Sequence, residues 1–125
     1  MRHVRLYDRE QGGDLGLTVA LAETLWARAI GYRFRRCGPT EREGLLLLYP
    51  RPRRAFLDTF GVFFPLGIIG LDEDFRVVGS FVAQPSTGPY TFCRPVRAVL
   101  EIHPRRVPDF PQGRRITWTG GEERA

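Results

Sequence analysis

Residues 58–78 read DTFGVFFPLGIIGLDEDFRVV, and this stretch decides the fold class. An apolar run ends in the acidic turn at 72–74, and a second apolar run follows it directly. Two apolar runs of strand length joined by a short polar turn are typical of a β-hairpin. We therefore predict strands over Phe64 to Leu71 and Arg76 to Val82, with Pro65 marking a strand start, an edge or a bulge.

Short apolar segments of the same kind recur on both sides of this hairpin. Thr24 is a suitable N-cap and Gly31 a suitable C′ residue for one short helix over Leu25 to Ile30. Short strands with frequent turn signals predict a mainly β fold, a single-domain antiparallel β sandwich or barrel with one short helix. We expect one domain over 1–125, with a flexible tail at 120–125. The other predicted strands are His3 to Tyr7, Gly16 to Ala22, Leu45 to Tyr49, Phe56 to Phe60, Arg97 to Ile102 and Arg115 to Thr119.

The composition is ordinary for a globular protein except in its choice of basic residue. Hydrophobic residues make up 42% and charged residues 26% of the chain, which argues against disorder. All 19 basic residues are arginine, and lysine and asparagine are absent, which indicates a GC-rich genome and is compatible with a thermophilic source. No apolar run reaches the roughly 20 residues of a membrane-spanning helix, and the N-terminus lacks a signal-peptide core. We expect a cytoplasmic protein without membrane insertion.

Three segments carry a family resemblance: GLLLLY (44–49), TFGVFFPLGIIGLDEDFRVV (59–78) and RAVLEI (97–102). In order and spacing these segments resemble the domain-of-unknown-function family 192, and the resemblance covers about 19–118 of this chain. It implies a compact β-rich fold. It implies no catalytic mechanism.

Four positions depart from the pattern of that family. Asp58 stands where the family has histidine, and Val62 where it has methionine. Gly67 replaces an aspartate, and Phe75 replaces the glycine of the acidic turn. The most polar family positions are therefore lost while the apolar frame remains. If the family shares an active site that uses this aspartate, the chain has lost that site.

Asp58 and Glu101 are the two acids that we expect to lie near each other, because each flanks an apolar strand in a matched segment. Two carboxyls in a partly dry cleft can separate their pKa values and act as general acid and base. Alternatively each pairs with a nearby arginine, and Arg97 is the obvious partner for Glu101. Thr59 could add a hydroxyl to such a cleft. These four residues are the ligand-binding candidates, and no residue is predicted to be catalytic.

The arginines occur in doublets, and the first doublet has aromatic neighbours. Arg35 and Arg36 follow Tyr32 and Phe34, so these four residues could stack bases and hold phosphates as single-strand binders do. Acidic residues close to the doublets favour the alternative of a solvated, ion-paired surface. The net charge of +5 can attract nucleic acid, but we consider nucleic-acid binding the less favoured interpretation.

The remaining polar groups predict structure more than chemistry. Cys37 and Cys93 lack a CxxC partner and a histidine at zinc spacing, so we expect buried thiols and no metal site, and a disulfide between them stays open. Asp72 and Asp74 could bind a hard cation, but a hairpin turn whose acids face water is favoured.

The sequence thus predicts a small β domain that binds a ligand or a protein partner and catalyses nothing. Two alternatives are an enzyme with a carboxylate site at Asp58 and Glu101, and weak binding of single-stranded nucleic acid through the arginine doublets. No cofactor is predicted. The ligand and the oligomeric state stay open.

Overall fold

A computed structural model of the chain describes residues 1–119, and the predicted tail at 120–125 lies outside the described residues. The described part is built mainly from β-strands, with one short α-helix and one 3₁₀ helix. In chain order the elements are β1 (His3–Asp8), β2 (Asp14–Ala22), α1 (Leu25–Ile30), β3 (Glu43–Arg53), β4 (Phe56–Leu57), β5 (Leu66–Leu71), β6 (Val77–Ala83), β7 (Tyr90–Thr91), β8 (Val96–Ile102), the 3₁₀ helix (Pro104–Asp109) and β9 (Ile116–Thr119).

Seven strands form one large sheet in the order β6-β5-β8-β3-β2-β1-β9, and β4 pairs with β7 in a small second sheet. The prediction of a mainly β fold is confirmed. The large sheet is mixed, which corrects the antiparallel prediction, because β2 and β3 run parallel. Parallel neighbours need a crossover of a dozen or more residues, and residues 23–42, which include α1, provide it.

The large sheet is not closed into a barrel, which corrects the barrel prediction. Its two edge strands are β6 and β9. Among the described residues they approach each other at the isolated bridge between Arg76 and Arg115, without a continuous ladder of paired residues. A barrel requires such a ladder around its whole circumference.

Both faces of the large sheet are covered by apolar side chains. Leu45 and Leu47 of β3 pack into one cluster, whereas Leu46, which points to the opposite face, packs into the other. All of β5 is buried. The GLLLLY and LGIIGL runs therefore follow from burial on two faces, which removes the need for an alternating polar residue.

The short helix α1 has the predicted bounds and caps. Thr24 Oγ1 accepts a hydrogen bond from the Ala27 backbone N–H at 3.1 Å, and the Gly31 N–H donates to the Ala27 carbonyl. Gly31 has a φ of 48°, a conformation that favours glycine. No helix within residues 1–119 is long and apolar enough to cross a membrane.

Three loops differ from the sequence-based expectations. The strand predicted at 56–60 ends at Leu57, because Asp58 Oδ1 accepts a hydrogen bond from the Phe60 backbone N–H at 3.1 Å and turns the chain. The expectation of buried thiols is wrong: Cys37 and Cys93 are both exposed and free. Each lies in a loop, where neither sheet face covers it.

Packing accounts for two of the positions that depart from the family pattern, Gly67 and Phe75. At Gly67 an added Cβ would lie 2.5 Å from Val107 Cγ2, so an aspartate has no room there. Phe75 has a φ of 61°, and its ring packs edge-on against Trp118 with 4.9 Å between the ring centroids. Asp72 Oδ1 accepts hydrogen bonds from the backbone of the same turn, as predicted for a structural hairpin.

Candidate functional site

A cleft of about 180 Å³ opens between α1 and the large sheet. Its walls come from α1 and the turn that follows it, from β3, and from β4 with the loop after it. Three of the four predicted ligand-binding residues line this cleft together: Asp58, Thr59 and Glu101. Its apolar wall includes Leu25, Leu47, Phe56, Val62 and Leu66.

Glu101 lies in the middle of the large sheet. Its strand neighbours in register are Leu45 of β3 and Ile68 of β5, so apolar side chains flank it on both sides. Above it, an added Cβ at Gly31 would lie 3.3 Å from Glu101 Oε1, so the turn after α1 approaches the carboxyl closely. The side chain keeps partial exposure because the cleft is open, but Oε1 itself is buried. Within residues 1–119, Oε1 has no hydrogen-bond partner.

The environment of Glu101 changes its acidity. Burial raises the pKa of the Glu101 carboxyl from 4.5 to about 7, and the positive charges of Arg33 and Arg35 oppose this rise only in part. Near neutral pH both the protonated and the ionised forms are populated. The carboxyl can therefore either donate or accept a hydrogen bond in the cleft.

Asp58, in contrast, is held in its ionised form by an arginine. Arg33 Nη1 lies 2.5 Å from Asp58 Oδ1, and the Arg33 Nε–H donates to the Ala29 carbonyl at 2.7 Å. The hydrogen bond from Arg33 is the main reason that the pKa of Asp58 is lowered. Asp58 is thus an ionised group committed to an ion pair, and it joins the loop after β4 to the turn after α1.

The Thr59 hydroxyl also uses its hydrogen bonds within the protein. Thr59 is buried, and its Oγ1 donates to the Gln84 carbonyl at 2.6 Å and accepts from the Thr87 N–H at 2.9 Å. These bonds hold the β4–β5 loop against the β6–β7 loop. Thr59 therefore shapes the wall of the cleft and has little hydrogen-bonding capacity left for a ligand.

Arg97, the fourth predicted residue, lies away from the cleft. Its Nε donates to the Tyr49 carbonyl at 2.7 Å, and its guanidinium lies 5.8 Å from the centroid of the Phe75 ring. Phe75 packs against the cluster on the other face of the sheet. The register of β3 against β8 is irregular between Leu48 and Arg53, next to the position of Arg97.

Sequence reasoning missed the arginines and the tyrosine at the mouth of the cleft. The guanidinium groups of Arg28 and Arg53 lie 5.2 and 5.4 Å from the centroid of the Tyr49 ring. Burial raises the pKa of the Tyr49 hydroxyl, so it stays neutral. Arg33 is the third cleft arginine. In a chain with 19 arginines no local signal distinguishes these three.

The predicted nucleic-acid residues separate into two groups. Tyr32 is buried, lines the cleft, and has the Arg35 guanidinium 4.9 Å from its ring centroid, so no base can stack on it. Phe34, in contrast, is 73% exposed, and Arg35 and Arg36 are exposed beside it. The described residues contain no group of three or more His, Cys, Asp or Glu side chains that could hold a metal ion.

Two solved structures are similar to this fold. A protein from Sinorhizobium meliloti 1021, proposed to be a transcription regulator, shares 25% identity with a TM-score of 0.81 over 94% of this chain and 93% of that chain. A protein of unknown function from Novosphingobium aromaticivorans DSM 12444 shares 26% identity with a TM-score of 0.77, over 93% of this chain and 84% of that chain. No curated protein matches the chain.

The family resemblance seen in the sequence is confirmed. The profile of the DUF192 family, described as an uncharacterized ACR, matches residues 7–118. The match begins earlier than the predicted start near residue 19, and it includes all the strands that surround the cleft. The chain therefore belongs to DUF192, the domain-of-unknown-function family 192.

Proposed function

We propose that this protein is a non-catalytic binding protein whose cleft takes a small ligand that hydrogen-bonds to Glu101. One observation carries the proposal: Glu101 Oε1 is buried at the cleft without a partner among residues 1–119. A buried polar atom left without a hydrogen bond costs stability, and such atoms are rare in folded proteins. A ligand that supplies the missing hydrogen bond would recover that cost on binding.

The rest of the cleft supports a ligand of mixed character. Leu47, Val62 and Leu66 offer an apolar wall, while Arg28 and Arg53 place positive charge at the mouth. A volume of about 180 Å³ is below the roughly 300–1,000 Å³ of sites for drug-sized ligands. We infer a small organic anion with a hydroxyl, amine or amide group that reaches Glu101.

Binding without catalysis fits the state of the other polar groups. Asp58 is paired with Arg33, and the Thr59 hydroxyl bonds to backbone and threonine groups of the neighbouring loop. Of the two carboxyls that line the cleft, Glu101 is thus the one that forms no ion pair within residues 1–119 and keeps an unpartnered oxygen. A single available carboxyl can anchor a ligand, whereas acid–base chemistry on a substrate also needs a positioned counterpart.

The test is a thermal-shift screen with small hydroxy acids, sugars and short peptides, followed by calorimetric titration of the hits. We expect hits to raise the melting temperature of the wild type but not that of Glu101→Gln. Glu73→Gln is the matched control, because it makes the same change at an exposed turn far along the sheet. Hits that bind Glu101→Gln as tightly as the wild type would refute the proposal.

A second candidate is an enzyme that uses the same cleft, and the opposite pKa changes of its two carboxyls favour it. The pKa of Asp58 is lowered while that of Glu101 is raised to about 7, a separation suited to one ionised group and one proton donor. Incubating each hit with the protein and following it by NMR distinguishes the two candidates. Turnover that is lost in Glu101→Gln would establish the enzyme, and unchanged ligand supports binding alone.

A further inference from the structure

The exposed apolar side chains are unevenly distributed. Among residues 1–119, eight large apolar side chains are exposed, and six of them lie on the two segments that border the cleft, 25–36 and 51–63. The Phe34 N–H donates to the Gly61 carbonyl at 2.7 Å, which joins the two segments into one surface. Five of the six side chains are aromatic. The six are Leu25, Trp26, Phe34, Phe56, Phe60 and Phe63.

The same surface carries four arginines that form no ion pair within residues 1–119. They are Arg35, Arg36, Arg53 and Arg54, and all four are exposed. Asp58, the acid within these segments, is already paired with Arg33. We call the five aromatic residues and these four arginines the aromatic–arginine face.

The other arginine doublets show that this arrangement is local. Arg106 pairs with Asp109 at 2.6 Å, and Arg114 pairs with Asp8 at 2.8 Å. The ion-paired surface that the sequence favours therefore exists at these two doublets and is absent, within residues 1–119, at the doublets beside the cleft. Arginines without an ion pair in the described residues, together with exposed rings, suit a partner that is both anionic and able to stack.

We propose that the aromatic–arginine face binds single-stranded nucleic acid. Phosphates would neutralise the four arginines that lack an ion pair within residues 1–119, and bases would stack on rings such as Trp26 and Phe34. A flexible single strand can follow an irregular surface and reach rings on separate loops. A lipid bilayer would instead need those side chains to lie in one plane.

The first test measures binding of a fluorescein-labelled oligothymidine by anisotropy at several salt concentrations. If each of the four arginines neutralises one phosphate, at about 0.7 per contact, log K falls with log salt at a slope of about −2.8. Arg35→Ser with Arg36→Ser should reduce the magnitude of this slope by about 1.4. Arg9→Ser with Arg42→Ser is the matched control, since it removes two exposed arginines outside the face.

The second test uses Trp26 as a reporter in a Trp118→Phe background, which leaves it the sole tryptophan. We expect oligothymidine to quench its emission as a base stacks on the ring, and Trp26→Ala to weaken binding by about fivefold or more. Trp26→Phe in the unchanged chain should keep most of the affinity, which gives a readout if Trp118→Phe does not fold.

Three outcomes would overturn the proposal. They are no binding at low salt, equal losses in the two double-arginine variants, and a blue shift of Trp26 on vesicles of phosphatidylglycerol without binding of the oligonucleotide. The last would assign the face to membranes. These results are separate from the small-ligand proposal, because the variants used here change Arg35, Arg36 and Trp26, whereas that proposal is tested through Glu101→Gln.

Discussion

The carboxyls of Asp8 and Glu101 both pack against the body of the protein, yet they differ in their hydrogen bonds and in the direction of their pKa shifts. Asp8 accepts hydrogen bonds from the backbone of Glu10 and Gln11 and from Arg114 Nε at 2.8 Å. The hydrogen bond from the Gln11 backbone is the largest cause of its lowered pKa. Glu101 Oε1 is buried without a partner in the described chain, and its pKa is raised to about 7. The Asp8 carboxyl already accepts hydrogen bonds from the protein, whereas Oε1 of Glu101 remains available to a ligand.

The difference arises from where each residue lies on its strand. Asp8 is the last residue of β1, so the amides of the following turn are free to converge on it. Glu101 lies inside β8, where the backbone amides belong to the ladders with β3 and β5. These amides are therefore not available to hydrogen-bond the Glu101 carboxyl, and the side chains next to it in register, Leu45 and Ile68, are apolar. A carboxyl at a strand end is thus readily structural, whereas one inside a sheet needs a specific partner.

The largest effect that tests this comparison is the pH dependence of stability due to Glu101. Between about pH 4.5 and 7 the folded carboxyl holds a proton that the unfolded chain releases, so stability falls as pH rises through this window. At about 1.4 kcal/mol for each pKa unit, the rise from 4.5 to about 7 corresponds to a loss of about 3 kcal/mol. Urea unfolding at pH 5 and pH 8 should show most of this loss in the wild type and not in Glu101→Gln.

The control for that measurement is Glu73→Gln, in which an exposed carboxyl is lost from the β5–β6 turn. It should keep the full decrease between the two pH values. A wild type whose stability is flat or rises over this window would contradict the assignment of Glu101 as an unsatisfied buried carboxyl. The proposed binding site would then lose its main support.

Local features of the fold were predictable because their causes are adjacent in sequence. The helix Leu25–Ile30 is bounded by its own N-cap and by Gly31, and the hairpin of β5 and β6 is bounded by its acidic turn. The parallel pairing of β2 with β3 was not predictable, since it depends on how residues 23–42 return across the sheet. No residue in either strand signals its neighbour's direction.

The candidate site was predictable in part, because some of its residues lie next to recognisable apolar strand segments. Asp58, Thr59 and Glu101 flank apolar strands, and the structure brings them to one cleft. Arg97 was expected beside Glu101, but its guanidinium bonds to the Tyr49 carbonyl and lies over the Phe75 ring. The missing hydrogen bond at Glu101 could not be read from the sequence, because it depends on every side chain that surrounds the carboxyl.

A smaller pH dependence of stability, opposite in sign to that of Glu101, is expected for Asp8. Its pKa is lowered from 3.8, so the unfolded chain binds the proton more readily and stability is lost as pH falls below about 4. Asp8→Asn leaves Arg114 without its ion pair and should lower stability at pH 7, with a difference from the wild type that shrinks in acid. Asp74→Asn, in an exposed turn, is the control and should follow the wild type. If the stability difference between Asp8→Asn and the wild type is the same at every pH, the charge of Asp8 does not contribute to stability.

The smallest effect links the two carboxyls of the cleft through Arg33. This arginine is the main cause of the lowered pKa of Asp58, and its charge also opposes the raised pKa of Glu101. Arg33→Gln should therefore raise the pKa of both carboxyls, and that of Glu101 by less, because burial stays its dominant influence. A carbon-13 NMR titration of the labelled carboxyls measures both shifts in one sample, with Arg42→Gln as a control that leaves the cleft intact. If the pKa of Asp58 rises and that of Glu101 does not, the two groups are electrostatically independent, and the cleft holds one available carboxyl that Arg33 does not influence.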